Sequence, residues 1–288
     1  MSVNAQTNAD TVRGEDWAGE MGAKWLANLD QFEGMIAPIG AALLARANYQ
    51  PSERVLDIGS GGGATTLEIA GAVAPDGEAL GIDISPDLVA AASRRAFDRG
   101  VGNARFLCAN ASTVTLDTAG FDRLFSRFGS MFFDQPIPAF ANLRTLLKPG
   151  ARIDLAVWGA PRENLWMMEV MRVVRNHVEF PPAIPRAPGP FAFEDLEYLN
   201  EVLAGGGFSD VDAVAYEGLQ PVGGPGATPE EAVGFILSSM TVGRALEDQG
   251  TGVRQQVTGE LIALFARHHV PGEGVMMGCK AWLVSARA

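Results

Sequence analysis

Residues 53–65, Glu-Arg-Val-Leu-Asp-Ile-Gly-Ser-Gly-Gly-Gly-Ala-Thr, limit the folds open to this chain more than any other stretch. Arg54 to Ile58 reads as a short buried strand carrying an acid, Asp57, near its end. Gly59, Gly61, Gly62 and Gly63 follow at once, and a helix begins at Ala64 and Thr65 and runs through Leu67, Ile69 and Ala70. Glycine allows positive φ and close approach of the backbone to a ligand. A helix start offers free N–H groups that hold an anion. Strand, glycine turn and helix in this order form a nucleotide-type binding turn.

The chain beyond it repeats the same unit. A second strand is expected over 78–82, ending on Asp83, then a helix opened by Ser85-Pro86-Asp87, a cap followed by proline at the first helical position. That helix runs to about Arg99 and Gly100 stops it. Further strands are expected over 104–109, 121–126 and 151–158, with a helix over 136–147 closed by Lys148-Pro149-Gly150. Asp57, Asp83 and Asn110 stand 26 and 27 residues apart, the length of one strand–helix unit. Right-handed crossovers then place Asp57, Asp83, Asn110 and Ser126 on one edge of a parallel sheet, where open α/β sheets bind ligands. A carboxylate at Asp83 suits the 2′ and 3′ hydroxyls of a ribose, which reports a nucleoside rather than one particular cofactor. The Asn110 carbonyl suits an adenine amino group, and the Ala111 N–H a ring nitrogen.

The glycines alone do not choose the cofactor, because a dinucleotide turn wants glycine at 59, 61 and 64 and tolerates Ala64. Asp57 discriminates better. A dinucleotide site usually has an apolar residue there, and a carboxyl buried beside glycines is costly without a use. Val-Leu-Asp-Ile-Gly-x-Gly-x-Gly resembles the first motif of class I S-adenosylmethionine (SAM)-dependent methyltransferases. Cys108-Ala109-Asn110-Ala111-Ser112 is similar to the adenine-binding stretch of the ubiquinone/menaquinone-biosynthesis C-methyltransferases, many of which have Asp-Ala where this chain has Asn-Ala. Ser126-Arg127-Phe128-Gly129, Met131-Phe132-Phe133, Ala156-Val157-Trp158 and Asn164-Leu165-Trp166 look like one bacterial branch of the small-molecule methyltransferases. The resemblance runs from Trp17 onward, with its specific motifs in the first 130 or so residues.

The resemblance implies a Rossmann-like, doubly wound α/β sheet of seven strands with the last antiparallel. It implies an N-terminal helical cover and a helical insertion, about 227–270, before the last strand. Residues 1–50 form the tail and cover, and 51–288 the cofactor-binding domain. It implies SAM as cofactor, with Asp57, Gly59, Ser60 and Gly61 at the methionine part, Asp83 and Ile84 at the nucleoside, and Asn110 and Ala111 at the adenine. Ser126 and Arg127 mark where the methionine half passes. Trp25, Phe128, Met131, Phe132 and Trp158 are the candidate walls of an acceptor pocket, since aromatic faces attract cations and apolar rings. The implied reaction moves a methyl group to O, C or N of a small apolar or aromatic molecule by in-line displacement. A nicotinamide-dependent oxidoreductase and a non-catalytic SAM-binding protein are the alternatives.

Elsewhere the chain constrains by exclusion. A net charge of −12 disfavours a phosphate-backbone partner, so no nucleic acid is expected. No apolar run of about 18 residues occurs, so no membrane span is expected. The polar start, of which roughly the first dozen residues read as a loose tail, and the only two cysteines, Cys108 and Cys279, suit a cytoplasmic protein without disulfides or metal. Helical spacing of Trp25, Leu26, Leu29, Phe32, Met35 and Ile36 gives 17–48 one apolar face. Further helices are expected over 165–178, 194–203, 229–247 and 253–268, strands over 210–216 and 274–286, and a stiff proline-rich connector at 180–190. Among the histidines only His177 is a weak candidate for a general base. Number of subunits is left open, a homodimer included.

Overall fold

A computed structural model describes residues 16–117, 120–247 and 249–288. The loose tail expected at the start lies outside the described residues. Two helices open the fold, α1 (Glu20–Ala27) and α2 (Leu29–Ala47), where the periodicity predicts one. Asn28 breaks them apart: its backbone leaves helical geometry at φ −122° and ψ 31°, and its Nδ2 donates to the Lys24 carbonyl at 2.9 Å. Pro38 sits inside α2, and Asn48 closes that helix in left-handed geometry with its N–H on the Leu44 carbonyl.

Strand–helix units follow: β1 (Arg54–Ile58), α3 (Ala64–Val73), β2 (Glu78–Asp83), α4 (Pro86–Asp98), β3 (Ala104–Cys108), β4 (Phe121–Arg127), α5 (Pro136–Thr145) and β5 (Leu147–Trp158). Ser85 caps α4 by accepting from the Leu88 N–H, as its sequence predicts. Lys148-Pro149-Gly150 does not cap a helix but forms the exposed start of β5. The later chain gives α6 (Leu165–Val174), α7 (Leu196–Gly205), β6 (Ser209–Val222), α8 (Pro229–Ser239), α9 (Thr241–Glu247), α10 (Thr251–Ala266), β7 (His269–Val270) and β8 (Gly274–Arg287). The helix expected over 229–247 divides at Met240, which is extended, with the Ser239 hydroxyl donating back to the Phe235 carbonyl. A capping box of Thr228 and Glu231 opens α8.

Sheet order is β3-β2-β1-β4-β5-β8-β6, with β7 added on β8. The first five strands are parallel, and β8 enters antiparallel between β5 and β6. Among the described residues eight strands replace the expected seven, because the chain reverses through β7, two residues long, before it enters β8. Central strands read as apolar runs because both faces are covered: Val55, Leu56, Ile58, Leu124, Phe125, Ile153, Leu155 and Val157 are all buried. Each is worth roughly 1.5–3 kcal/mol on burial.

One buried ion pair fixes α2 against this sheet. Arg123 on β4 donates to Asp154 on β5 at 2.6 Å and to the Ala47 carbonyl at the end of α2 at 2.8 Å. Removing one partner of such a pair costs about 3–5 kcal/mol, because the other charge stays buried. Among the described residues no helix is long and apolar enough to cross a membrane.

Candidate functional site

The carboxyl ends of β1, β2 and β4 meet at the glycine turn. Gly59 has φ +70° and a Cβ there would stand 2.7 Å from Gly129 Cα, so the turns after β1 and β4 touch backbone to backbone. Gly61 and Gly63 also take positive φ, +54° and +81°. Trp25 of α1 and Leu29 of α2 lie directly over Gly61 and Gly62. Arg95 of α4 locks this arrangement, donating to Glu33 of α2 and to the Gly62 carbonyl, each at 2.9 Å.

Asp83 sits at the mouth of the turn. Its Oδ2 accepts from the Gly61 N–H at 2.8 Å and its Oδ1 from the Ser85 N–H at 2.9 Å. Burial raises its pKa, and the backbone N–H groups oppose that rise. Each oxygen keeps a second lone pair for a ligand hydroxyl. Ile84 beside it is 40% exposed, an apolar surface at the carboxyl end of β2.

Asp57 is only 1% exposed and faces the first turn of α3, where its Oδ2 accepts from Thr65 Oγ1 at 3.0 Å and Thr66 Oγ1 at 2.6 Å. Burial pushes its pKa up to about 6, against the pull of the two hydroxyls and of Arg127. The carboxylate expected at the methionine part of the cofactor is therefore clamped by hydroxyls of the first turn of α3. Neither threonine is among the residues singled out from the sequence, although their place just after the glycines is a signal.

Arg127 points into a cavity of about 350 Å³ between α2 and the first turn of α3, with Asp30, Glu33, Thr65 and Glu68 on its walls. Gly40 of α2 makes room, since a Cβ there would stand 2.7 Å from Nη1. Burial lowers the Arg127 pKa and the fields of Asp57, Glu33 and Glu68 oppose it. Among the described residues its guanidinium has no hydrogen bond or ion pair, and those carboxylates act on it through their fields alone.

Two expected contacts are used otherwise. Ser126 is fully buried; its hydroxyl donates to the Ile58 carbonyl at 2.9 Å and accepts from the Ser130 N–H at 3.2 Å. It braces β4 to β1. The Asn110 side-chain oxygen accepts from the Ser112 N–H and hydroxyl at 2.9 and 2.5 Å, closing its own turn. Short polar side chains bond their own backbone readily, which sequence spacing does not reveal. Ala111, next to it, is buried.

The aromatic residues form two groups. Trp25 stacks on Phe32 at 4.0 Å, and Trp17 bridges Trp25 and Phe132 at 5.7 and 4.8 Å. Phe128 stacks on Trp158 at 4.2 Å, with Trp166 beyond. Phe128 holds a left-handed backbone, φ +62°, which a bulky residue adopts only under constraint. Met131 is buried. Trp17 is missed by sequence reasoning because its partners come from distant segments. Ser60 Oγ, Ser130 Oγ and Trp17 Nε1 are buried without a partner among the described residues. His177, past the end of α6, pairs with Glu260 of α10 at 3.1 Å.

Residues 55–150 match the family model of a methyltransferase domain. Over 116 residues the chain is 32% identical to aklanonic acid methyltransferase DauC of Streptomyces sp. (strain C5), covering 40% of this chain and 53% of that one. Over 113 residues it is 33% identical to the ubiquinone/menaquinone biosynthesis C-methyltransferase UbiE of Burkholderia orbicola, covering 39% and 46%. The chain spans roughly half the length of these curated relatives. In fold it is similar to phosphoethanolamine N-methyltransferase 2 of Haemonchus contortus, solved with S-adenosyl-L-methionine, at a TM-score of 0.58 and 15% identity over 96% of this chain and 60% of that one.

Proposed function

We propose that this chain, which carries a methyltransferase domain over residues 55–150, is an enzyme that methylates a small apolar or aromatic molecule at O, C or N with SAM. The observation that carries this reading is the Asp83 carboxylate, held between the Gly61 and Ser85 N–H groups at the mouth of the glycine turn. The residues fit the cofactor. Asp83 takes the ribose hydroxyls, Ile84 lies against the base, and the Ala111 N–H meets a ring nitrogen. Gly59 and Gly61 let the backbone approach, and the unpaired hydroxyls of Ser60 and Ser130 await a polar partner. Arg127 takes the carboxylate of the amino-acid end, with Asp57 and Glu68 offsetting its ammonium charge. SAM, when bound, supplies a methyl group already activated on a sulfonium.

What remains for the protein is alignment and exclusion of water. Phe128 and Trp158 present a flat apolar wall for an acceptor, and α1 and α2 roof the turn through Trp17, Trp25 and Leu29. Positioning of this kind supplies roughly 7–11 kcal/mol of a barrier. No general base is needed where the acceptor ionises by itself, and His177, tied to Glu260, is not assigned as one. The two free thiols, Cys108 and Cys279, suit a reducing cytoplasm. Calorimetry with S-adenosylhomocysteine tests the reading. Asp83→Asn keeps the shape and loses the charge-assisted bonds, each worth roughly 1.5–3 kcal/mol. Affinity should fall at least tenfold, and unchanged affinity removes the ribose assignment.

A further inference from the structure

At the amino ends of the parallel strands, away from the glycine turn, arginines stand in register across the sheet. Arg123 of β4 lies beside Arg152 of β5, and Arg152 beside Arg287 of β8. Residues side by side in neighbouring strands share a face. That face is the one under α2: Arg123 donates to the Ala47 carbonyl at 2.8 Å and Arg152 to the Arg46 carbonyl at 3.3 Å. Arg46 of α2 reaches the same place and pairs with Asp212 of β6 at 2.5 Å. Four guanidinium groups thus meet in a chain whose net charge is −12. Like charges side by side in a sheet are destabilising, so such a row needs anions among it.

Three carboxylates pair with these four cations. Asp154, fully buried, pairs with Arg123 at 2.6 Å and Arg152 at 2.7 Å; Glu53 pairs with Arg123 at 3.4 Å, and Asp212 holds Arg46. Arg287 has a backbone carbonyl alone, that of Gly150, at 3.1 Å. A cavity of about 310 Å³ opens here, walled by Arg46, Arg152, Arg287, Asp210, Asp212 and Ser285. Ser285 is only 9% exposed, yet its hydroxyl has no hydrogen bond among the described residues. The Nε–H groups of Arg46, Arg123 and Arg152 are also buried without a partner there. N–H and O–H donors therefore outnumber the oxygens that take them, a costly arrangement unless a further acceptor is bound. Asp210, exposed on the rim, pairs with none of the arginines. The cavity is at the small end for a ligand pocket, and β5 separates Arg152 from Trp158 at the other edge by about 20 Å of strand.

We propose that this cavity binds a small, multiply charged oxyanion, a phosphate or a polycarboxylate, gripped by Arg287 and Arg152 with Ser285 as a further donor. Arg152 spends only Nη2 on Asp154 and the Arg46 carbonyl, so Nη1 is left for the ligand. The bound anion ties the end of α2, the helix whose start roofs the glycine turn, to β5 and β8. The probes are pyrophosphate and citrate, measured by calorimetry on the full chain at constant ionic strength, so that screening is not read as binding. Wild type should bind one or both saturably; tighter pyrophosphate marks a phosphate site, tighter citrate a carboxylate site. Arg287→Gln should weaken binding about tenfold or more, the loss of one charge-assisted hydrogen bond. Ser285→Ala should weaken it too, and carries the test should Arg287→Gln fail to fold. Arg127→Met, in the other arginine cavity, should leave it unchanged. No saturable binding of either probe, binding unaltered in both Arg287→Gln and Ser285→Ala, or binding abolished by Arg127→Met overturns the proposal.

Discussion

Replacing Asp57 by asparagine should make the protein more stable at neutral pH. The acid is fully buried, so solvent screening does not dilute its effect, and its pKa stands at about 6 against an ordinary 3.8. A carboxyl whose folded pKa is raised binds its proton more tightly when folded, so stability falls as pH rises from about 4 to 6 and stays low above that. Two pKa units correspond to about 3 kcal/mol at pH 7 and above. Asparagine keeps an oxygen for the Thr65 and Thr66 hydroxyls and carries no charge to bury. Asp57→Asn should therefore gain about 2–3 kcal/mol at pH 8 and nothing at pH 4. Urea unfolding at several pH values measures this, as a midpoint shift of roughly 1 M at pH 8 for a slope near 3 kcal/mol per M. A gain independent of pH, or a loss of stability at pH 8, would refute the reasoning. The same variant should bind adenosylhomocysteine more weakly, which would explain why a destabilising acid stands beside the glycines.

Three further outcomes are expected. Gly59→Ala meets both a φ of +70° and the Gly129 backbone at 2.7 Å, so it should lose about 2 kcal/mol or more in a thermal or urea melt and weaken cofactor binding with it. Arg127→Met should cut affinity for adenosylhomocysteine at least tenfold but leave 5′-methylthioadenosine, which lacks the amino-acid end, unaffected; equal losses for both would remove Arg127 from the carboxylate. His177→Gln should leave turnover with any acceptor, and its pH profile, as in wild type, because His177 serves a contact between α6 and α10.

Much of the candidate site's backbone was legible because it is built from local units. Asp57, Asp83 and the glycines stand in fixed order within one strand–turn–helix, and Ser85 caps α4 through a residue three positions on. What escaped depends on distant partners or on local competition. β6 runs to Val222, well past the expected Tyr216, because β8 pairs with it across the helices between them. Gln220, outside the elements expected from the sequence, is buried by that pairing. Trp17 gains its role only when the turn after β4 brings Phe132 to it. Asn110 shows local competition: spacing puts it just past the end of β3, where its side-chain oxygen accepts from Ser112, two residues away. Ser126 likewise arrives on the edge but spends its hydroxyl on Ile58.

The adenosine assignment is tested most directly by a crystal structure with S-adenosylhomocysteine bound. The ribose hydroxyls should lie within hydrogen-bond distance of both Asp83 oxygens, the base between Ile84 and the Ala111 N–H, and the ligand carboxylate on the Arg127 guanidinium. Density for the nucleoside elsewhere, with Asp83 still bonded only to backbone N–H groups of this chain, would contradict it.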